Sequence, residues 1–259
     1  MKMKTEWRFL RGWTDEELTA RLASAAARSR NFDEADREMA SERGWGRHFS
    51  EAVIAREPPG PPERGGPFDR AWTLVADYFF SDPRIVKAHF DRSVPLLERR
   101  MLLEVRVWGL HYLGPAMVTA VLDDREASRS ARGFRYDTIE GHFERGAEWF
   151  VVAKNHATGD VTFRIHAGWK RGELPNWWSR IGFNLLARRY QRAWHRLAHL
   201  RLRAMLGSAA LPPLPRGARL VHTGPPFPVP AVQAIATGGP PAVIGMEEET
   251  GEHRLSEAS

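Results

Sequence analysis

Gly133-Phe134-Arg135-Tyr136-Asp137-Thr138-Ile139-Glu140-Gly141-His142, followed by Gly146-Ala147-Glu148-Trp149-Phe150 and running on into Val151-Val152-Ala153, is the stretch from which the fold is read. Residues 134–139 and 148–153 have the apolar content of short strands. The residues between them, Phe143-Glu144-Arg145-Gly146, read as a turn, so the two strands form an antiparallel pair. Gly133, Gly141 and Gly146 allow tight backbone at both ends of the first strand. A phenol, a hydroxyl, an imidazole and a carboxylate are gathered at that strand edge, which is more chemistry than a solubilising loop needs.

Outward from this pair, further strands follow. Residues 101–108 alternate Leu103, Val105 and Val107 with Glu104, Arg106 and Trp108, as a half-buried strand does. Residues 116–122 and 161–166 read as two more, and Thr158-Gly159-Asp160 supplies a hairpin turn. Upstream, residues 45–56 read as a first strand, and the Pro- and Gly-rich residues 58–67 as a loop. Residues 68–79 carry Phe68, Trp72, Val75 and Phe79 at helical spacing. Ser81-Asp82-Pro83 reads as the start of a second short helix running to about Phe90.

The ends differ in character. Residues 13–30 read as a helix opened by a Thr14–Glu17 capping box. Residues 33–43 are highly charged. Residues 175–206 read as one long helix with Phe183, Leu186, Tyr190, Trp194, Leu197 and Ala204 on its apolar stripe. Arg188, Arg192, Arg196, His199 and Arg203 fall on the opposite face. From about residue 208 the chain is rich in Pro and Gly with no apolar period, and disorder is expected. The expected division is a helical extension over 1–44, a folded domain over 45–207 and a disordered tail over 208–259.

The order strand, two short helices, antiparallel strands and long helix is an α+β order, and it argues against a doubly wound parallel sheet. It is the order of the helix-grip fold, a curved antiparallel sheet wrapped on a long C-terminal helix with room for a cavity between them. The opening motif also resembles the signature of the DUF1990 (UPF0548) family, roughly G-F-x-Y-G-T-L-x-G-H-x-x-x-G-E-E-x-F. Gly133, Phe134, Tyr136, Thr138, Gly141, His142, Gly146, Glu148 and Phe150 match it, while Asp137, Ile139 and Ala147 depart from it. The likeness covers about residues 95–206 well. It implies membership of the Bet v 1/START-like (SRPBCC) superfamily and a ligand cavity, and it implies no particular reaction. Ala147 stands where the family has the first of two glutamates, which counts against chemistry needing an adjacent acidic pair.

Composition narrows the function. The 259 residues contain no cysteine, which removes disulfides, thiolate metal sites and cysteine nucleophiles. The N-terminus has basic residues but no apolar run behind them, so no signal peptide is read, and no run is long enough to span a bilayer. A cytoplasmic protein is expected. The net charge of +6 permits an anionic partner without requiring one. No Walker loop, Gly-x-Gly-x-x-Gly, Gly-x-Ser-x-Gly or His-Glu-x-x-His spacing occurs, so neither a cofactor nor a metal is expected.

Candidate catalytic residues are His142, as acid or base, and Glu148, facing it across the turn. Candidate ligand-binding residues are Tyr136, Thr138, His142, Glu148, Trp108, Trp149, Arg164, His166, Tyr190 and Trp194. Trp169, Trp177 and Trp178 are further candidates for a cavity wall. Each has a plainer reading: the tryptophans as core filling, His142–Glu148 as a turn-pinning hydrogen bond, and Arg164 and His166 as solvated surface. If Arg164 and His166 face inwards, the ligand is acidic. The leading expectation is a protein that holds a hydrophobic or amphipathic small molecule between sheet and C-terminal helix. An enzyme on the same scaffold is the alternative. A scaffold meeting a protein or nucleic acid through the arginine face of residues 188–203 is the second alternative, with nucleic acid disfavoured for want of any reading motif.

Overall fold

The computed structural model describes residues 4–33, 45–207 and 220–222. Near the N-terminus, β1 (Glu6–Phe9) precedes α1 (Asp15–Ala25), whose first turn carries the expected capping box. The Thr14 hydroxyl accepts from the Glu17 N–H, and the Glu17 carboxylate accepts from the Thr14 N–H. The N-terminal extension is more than helical, because β1 pairs with the long strand β5. The charged residues 34–44 lie outside the described residues.

The remaining strands are β2 (Gly46–Arg56), β3 (Val86–Asp91), β4 (Arg100–Val107), β5 (Leu110–Arg125), β6 (Arg129–Thr138), β7 (Glu144–Asn155), β8 (Asp160–Arg171) and β9 (Leu220–His222). They form one antiparallel sheet in the order β2-β8-β7-β6-β5-β4-β3-β9, with β1 attached to β5. Of the tail expected to be disordered, Leu220–His222 is described, and it pairs with β3; the rest lies outside the described residues.

Between β2 and β3 stands α2 (Pro67–Ala76), with Pro67 in its first turn. It ends in a Schellman pattern: the Tyr78 N–H reaches Val75 O and the Phe79 N–H reaches Leu74 O. The position that usually holds glycine in this motif is Tyr78, at φ +61. Left-handed backbone costs such a residue roughly 1–2 kcal/mol. The second helix expected over residues 81–90 is absent; that stretch is a single turn followed by β3. The Asp82 carboxylate takes the Arg84 N–H and the Asp82 carbonyl takes those of Ile85 and Val86, which closes the turn. Period-two alternation then prevails, because Ala88 and Phe90 enter the core while Lys87 and His89 point away.

The concave face of the sheet carries the main core. Phe134, Phe150, Phe163 and Ile165 pack there against Phe79 and Phe80 and against α3 (Trp177–Gly207). The other face is not solvated as expected. Leu18 of α1 packs on Leu102 and Leu113, and Trp149 sits among Ala120, Leu122, Ala131, Val151 and Ala153. Glu104, assigned to the solvated side of β4, is therefore buried, and it gathers His89, His111 and Arg106. Burial alone would raise its pKa, but the hydrogen bonds from these three outweigh it and hold the carboxyl well below the usual range.

The buried line of α3 runs through Trp194, Ala198, Leu202 and Leu206, flanked by His195 and His199. Ala204, placed on the apolar stripe by spacing, is exposed, and His199, placed on the cationic face, is buried. The reason is the position of β2. It lies along that side of the helix, and its Ser50 hydroxyl bonds both histidines.

Candidate functional site

A cavity of about 340 Å³ lies between the sheet and the N-terminal half of α3. Leu103, Val105 and Val107 form one wall, because alternation turns these three residues of β4 to the concave face. Trp178, Phe183, Leu186 and Trp194 form the opposing wall on α3. Between them the helix presents Gly182 and Ala187, which are too small to fill the space. The hairpin Val107-Trp108-Gly109-Leu110 joins β4 to β5, with positive φ at both central residues, as a two-residue type I′ turn requires.

Polar groups collect on the β6–β7 side. Tyr136 and Glu148 are paired across the two strands, and the Tyr136 hydroxyl donates to Glu148 Oε2 at 2.6 Å. Tyr78, at a left-handed backbone position, lines the same cavity. Glu148 Oε1 is 3.7 Å from His195 Nε2. The chain of contacts continues from His195 Nδ1 to Ser50 Oγ at 2.7 Å and from Ser50 Oγ to His199 Nε2 at 3.0 Å. Desolvation pushes the Glu148 pKa up to about 7, against the opposing effects of the Tyr136 hydrogen bond and nearby His48. Burial pushes His195 down to about 3; His199 falls to about 4, through burial and then the charges of His195 and Arg203.

Glu144, four residues before Glu148 on the same face of β7, also lines the cavity and accepts from Gln191 Nε2 at 3.3 Å. Burial and the charge of Glu148 raise its pKa to about 8. Its backbone N–H donates to His142 Nδ1 at 2.9 Å, so the imidazole carries its proton on Nε2. The His142 ring packs edge-on over Gly114, where a Cβ would come 2.6 Å from Cδ2. Burial lowers the His142 pKa to about 3. Gly141, at φ +94, makes the turn that sets this ring in place.

The structure brings together part of the expected set. Tyr136, His142, Glu148, Trp108, Tyr190 and Trp194 line the cavity. His142 and Glu148 do not face each other, because the turn falls at residues 139–143, earlier than expected, and β7 begins at Glu144. Glu148 is held by Tyr136, and His142 by the Glu144 backbone. Thr138 does not line the cavity. Its hydroxyl donates to Asn31 Oδ1 and accepts from the Gly146 N–H, tying the N-terminal segment to the β6–β7 turn.

Four further expectations need correction. Arg164 and His166 lie on the convex face, since Phe163 and Ile165 occupy the core. Arg164 bonds Glu51 across the strands, and His166 packs near Phe49. Trp149 belongs to the convex-face cluster and Trp177 is 71% exposed, whereas Trp108, 78% exposed, lines the mouth of the cavity as expected. Ala147 also points away from Glu148, so the carboxylate this chain lacks there would lie outside the cavity. Asp137 stands opposite Ala147 in the register and is held between Arg135 and Arg30.

Several site residues were missed: Tyr78, Glu144, His195 and Ser50. The four-residue spacing of His195 and His199 on a helix was a usable signal, because it sets both on one side. Ser50 carries none, since only the pairing of β2 with β8 brings it under α3. Among the described residues, no cluster of His, Asp and Glu could hold a metal ion, and no helix is long and apolar enough to cross a membrane.

Solved structures similar to this chain include Ara h 8.0201, at 10% identity over 63% of this chain and 98% of that one, with a TM-score of 0.35. Another is an uncharacterized protein from Rhizobium leguminosarum, at 14% identity over 62% of this chain and 98% of that one, with a TM-score of 0.29. No curated protein matches the chain in sequence. The model of a domain of unknown function, DUF1990, matches residues 30–200, which span the motif, the sheet from β2 to β8 and most of α3, and the chain belongs to that family.

Proposed function

We propose that the protein binds a small, largely apolar molecule in the cavity between the sheet and α3. The observation that carries this reading is the unfilled space itself: about 340 Å³, walled by aliphatic and aromatic side chains, with the carboxyls of Glu144 and Glu148 at one side. A volume of this order with few convergent polar groups is characteristic of ligand pockets. The helix fails to fill the space because Gly182 and Ala187 face it, and larger residues at those positions would close it.

The test uses a neutral fluorescent probe, N-phenyl-1-naphthylamine, and the variant Ala187→Trp. The wild type is expected to enhance and blue-shift probe emission. The variant is expected to bind at least about tenfold more weakly, the cost of displacing an apolar body from its seat. Thermal melts should show both proteins folded. Equal probe binding by the two folded proteins would exclude the cavity as the binding site.

A further inference from the structure

Among the described residues, those lining the cavity include two carboxylic acids and no lysine or arginine. Arg164, on which an acidic ligand depended, is on the opposite face of the sheet and engaged with Glu51. His142 lines the cavity but is neutral, its Nδ1 occupied by a backbone N–H. The acceptors are incompletely used. Glu148 Oε2 receives the Tyr136 hydroxyl, while Oε1 has the 3.7 Å approach of His195. Glu144 Oε1 has one amide donor, at 3.3 Å. A carboxylate or phosphate ligand would meet two acids and no lysine or arginine there. An alcohol would find acceptors but gain no charge pairing. An ammonium group would find both.

We propose that the cavity selects an amphipathic molecule bearing a primary amine, its apolar body between β4 and α3 and its ammonium against Glu148 and Glu144. This inference rests on the binding reading above and adds the ligand's head group. It carries a pH dependence of definite sign. The carboxyls, at about 7 and about 8, ionise as pH rises from 6 to 8, while an alkylammonium stays charged, so amine affinity should climb roughly tenfold over that interval. The ionisable groups facing them are Tyr136 on β6, Tyr78 after α2, His195 on α3, His48 on β2 and His142 before β7. The two tyrosines are raised above 10, and His195 and His142 are lowered to about 3, so none of the four titrates between pH 6 and 8.

Calorimetric titration with 1-naphthylmethylamine, 1-naphthylmethanol and 1-naphthylacetic acid, which share one apolar body, separates the head groups. At pH 8 the expected order is amine, then alcohol about tenfold weaker, then acid weakest. Glu148→Gln should bring the amine-to-alcohol ratio close to one, and Glu144→Gln should lower it. If Glu148→Gln fails to fold, the pH profile of the wild type and the Glu144→Gln ratio carry the test. Acid binding as tightly as amine would overturn the inference. So would a ratio unchanged by both variants, or an amine affinity flat from pH 6 to 8. Equal binding of all three, with N-phenyl-1-naphthylamine also bound, would remove the head-group inference and leave the cavity reading standing. No binding by any of the four would remove both.

Discussion

Glu148 and Glu144 are acids that the fold holds close to neutrality, and the consequence reaches beyond the ligand. Their folded pKa values lie above the ordinary 4.5, at about 7 and about 8, so the folded protein binds more protons than the unfolded chain over that window. Stability from this source is present at low pH and is lost as pH rises through 7 and 8. His142, His195 and His199 act in the opposite sense. Their folded values of about 3, 3 and 4 lie below the ordinary 6.5, so their contribution is present above pH 6.5 and is lost as pH falls towards 3. Above pH 6.5 the glutamates alone remain of these five. Glu148→Gln should therefore gain about 1–3 kcal/mol relative to wild type between pH 5 and pH 8, read by urea unfolding at the two values. A constant offset between the two proteins would show that Glu148 is not buried as described. At this scale the sequence was informative about residue type and less so about partner. The alternation of β7 separates Ala147 from Glu148 and could be read directly. The pairing of Tyr136 with Glu148 depended on where the turn falls, and misplacing it gave His142 a different partner.

Elements are fixed by a few buried polar contacts as well as by packing. Lys154 of β7 donates to Glu57 Oε2 at 2.7 Å and to Pro61 O at 3.0 Å, with both side chains of the ion pair fully buried. Glu57 also takes the N–H groups of Phe68 and Glu63, which anchors the Pro-rich loop and the start of α2 to the sheet. Lys154→Met should cost about 3–5 kcal/mol, because it leaves a buried carboxylate without its counter-ion. Adding Glu57→Gln should recover part of that loss. Denaturant melts of the single and double variants decide it, and a loss below about 1 kcal/mol for the single variant would contradict the role. The elements legible in sequence were those with a local signal: the capping box of α1, the alternation of β4 and the length of α3. β3 was read as helix because Ser-Asp-Pro opens a turn as well as it opens a helix, and only pairing with β4 decides between them. The buried side of α3 escaped for a similar reason: strand β2, distant in sequence, sets it.

At the scale of the whole molecule, an antiparallel sheet holds a long C-terminal helix. α1 packs on part of the sheet's far face and β1 extends the sheet beside β5, which leaves the concave side for core and cavity. Element order was enough to read this arrangement. Which of the ten tryptophans line the cavity was not legible. Trp108, Trp178 and Trp194 do, Trp149 lies on the convex face and Trp177 is exposed. That distribution provides the most direct measurement: the indole N–H resonances in 1H–15N spectra during titration with N-phenyl-1-naphthylamine. The Trp178 and Trp194 signals are expected to shift and saturate together, while those of Trp149 and Trp177 stay in place. Shifts at Trp149 or Trp177 with Trp194 unmoved would place the ligand elsewhere and contradict a binding cavity between sheet and helix.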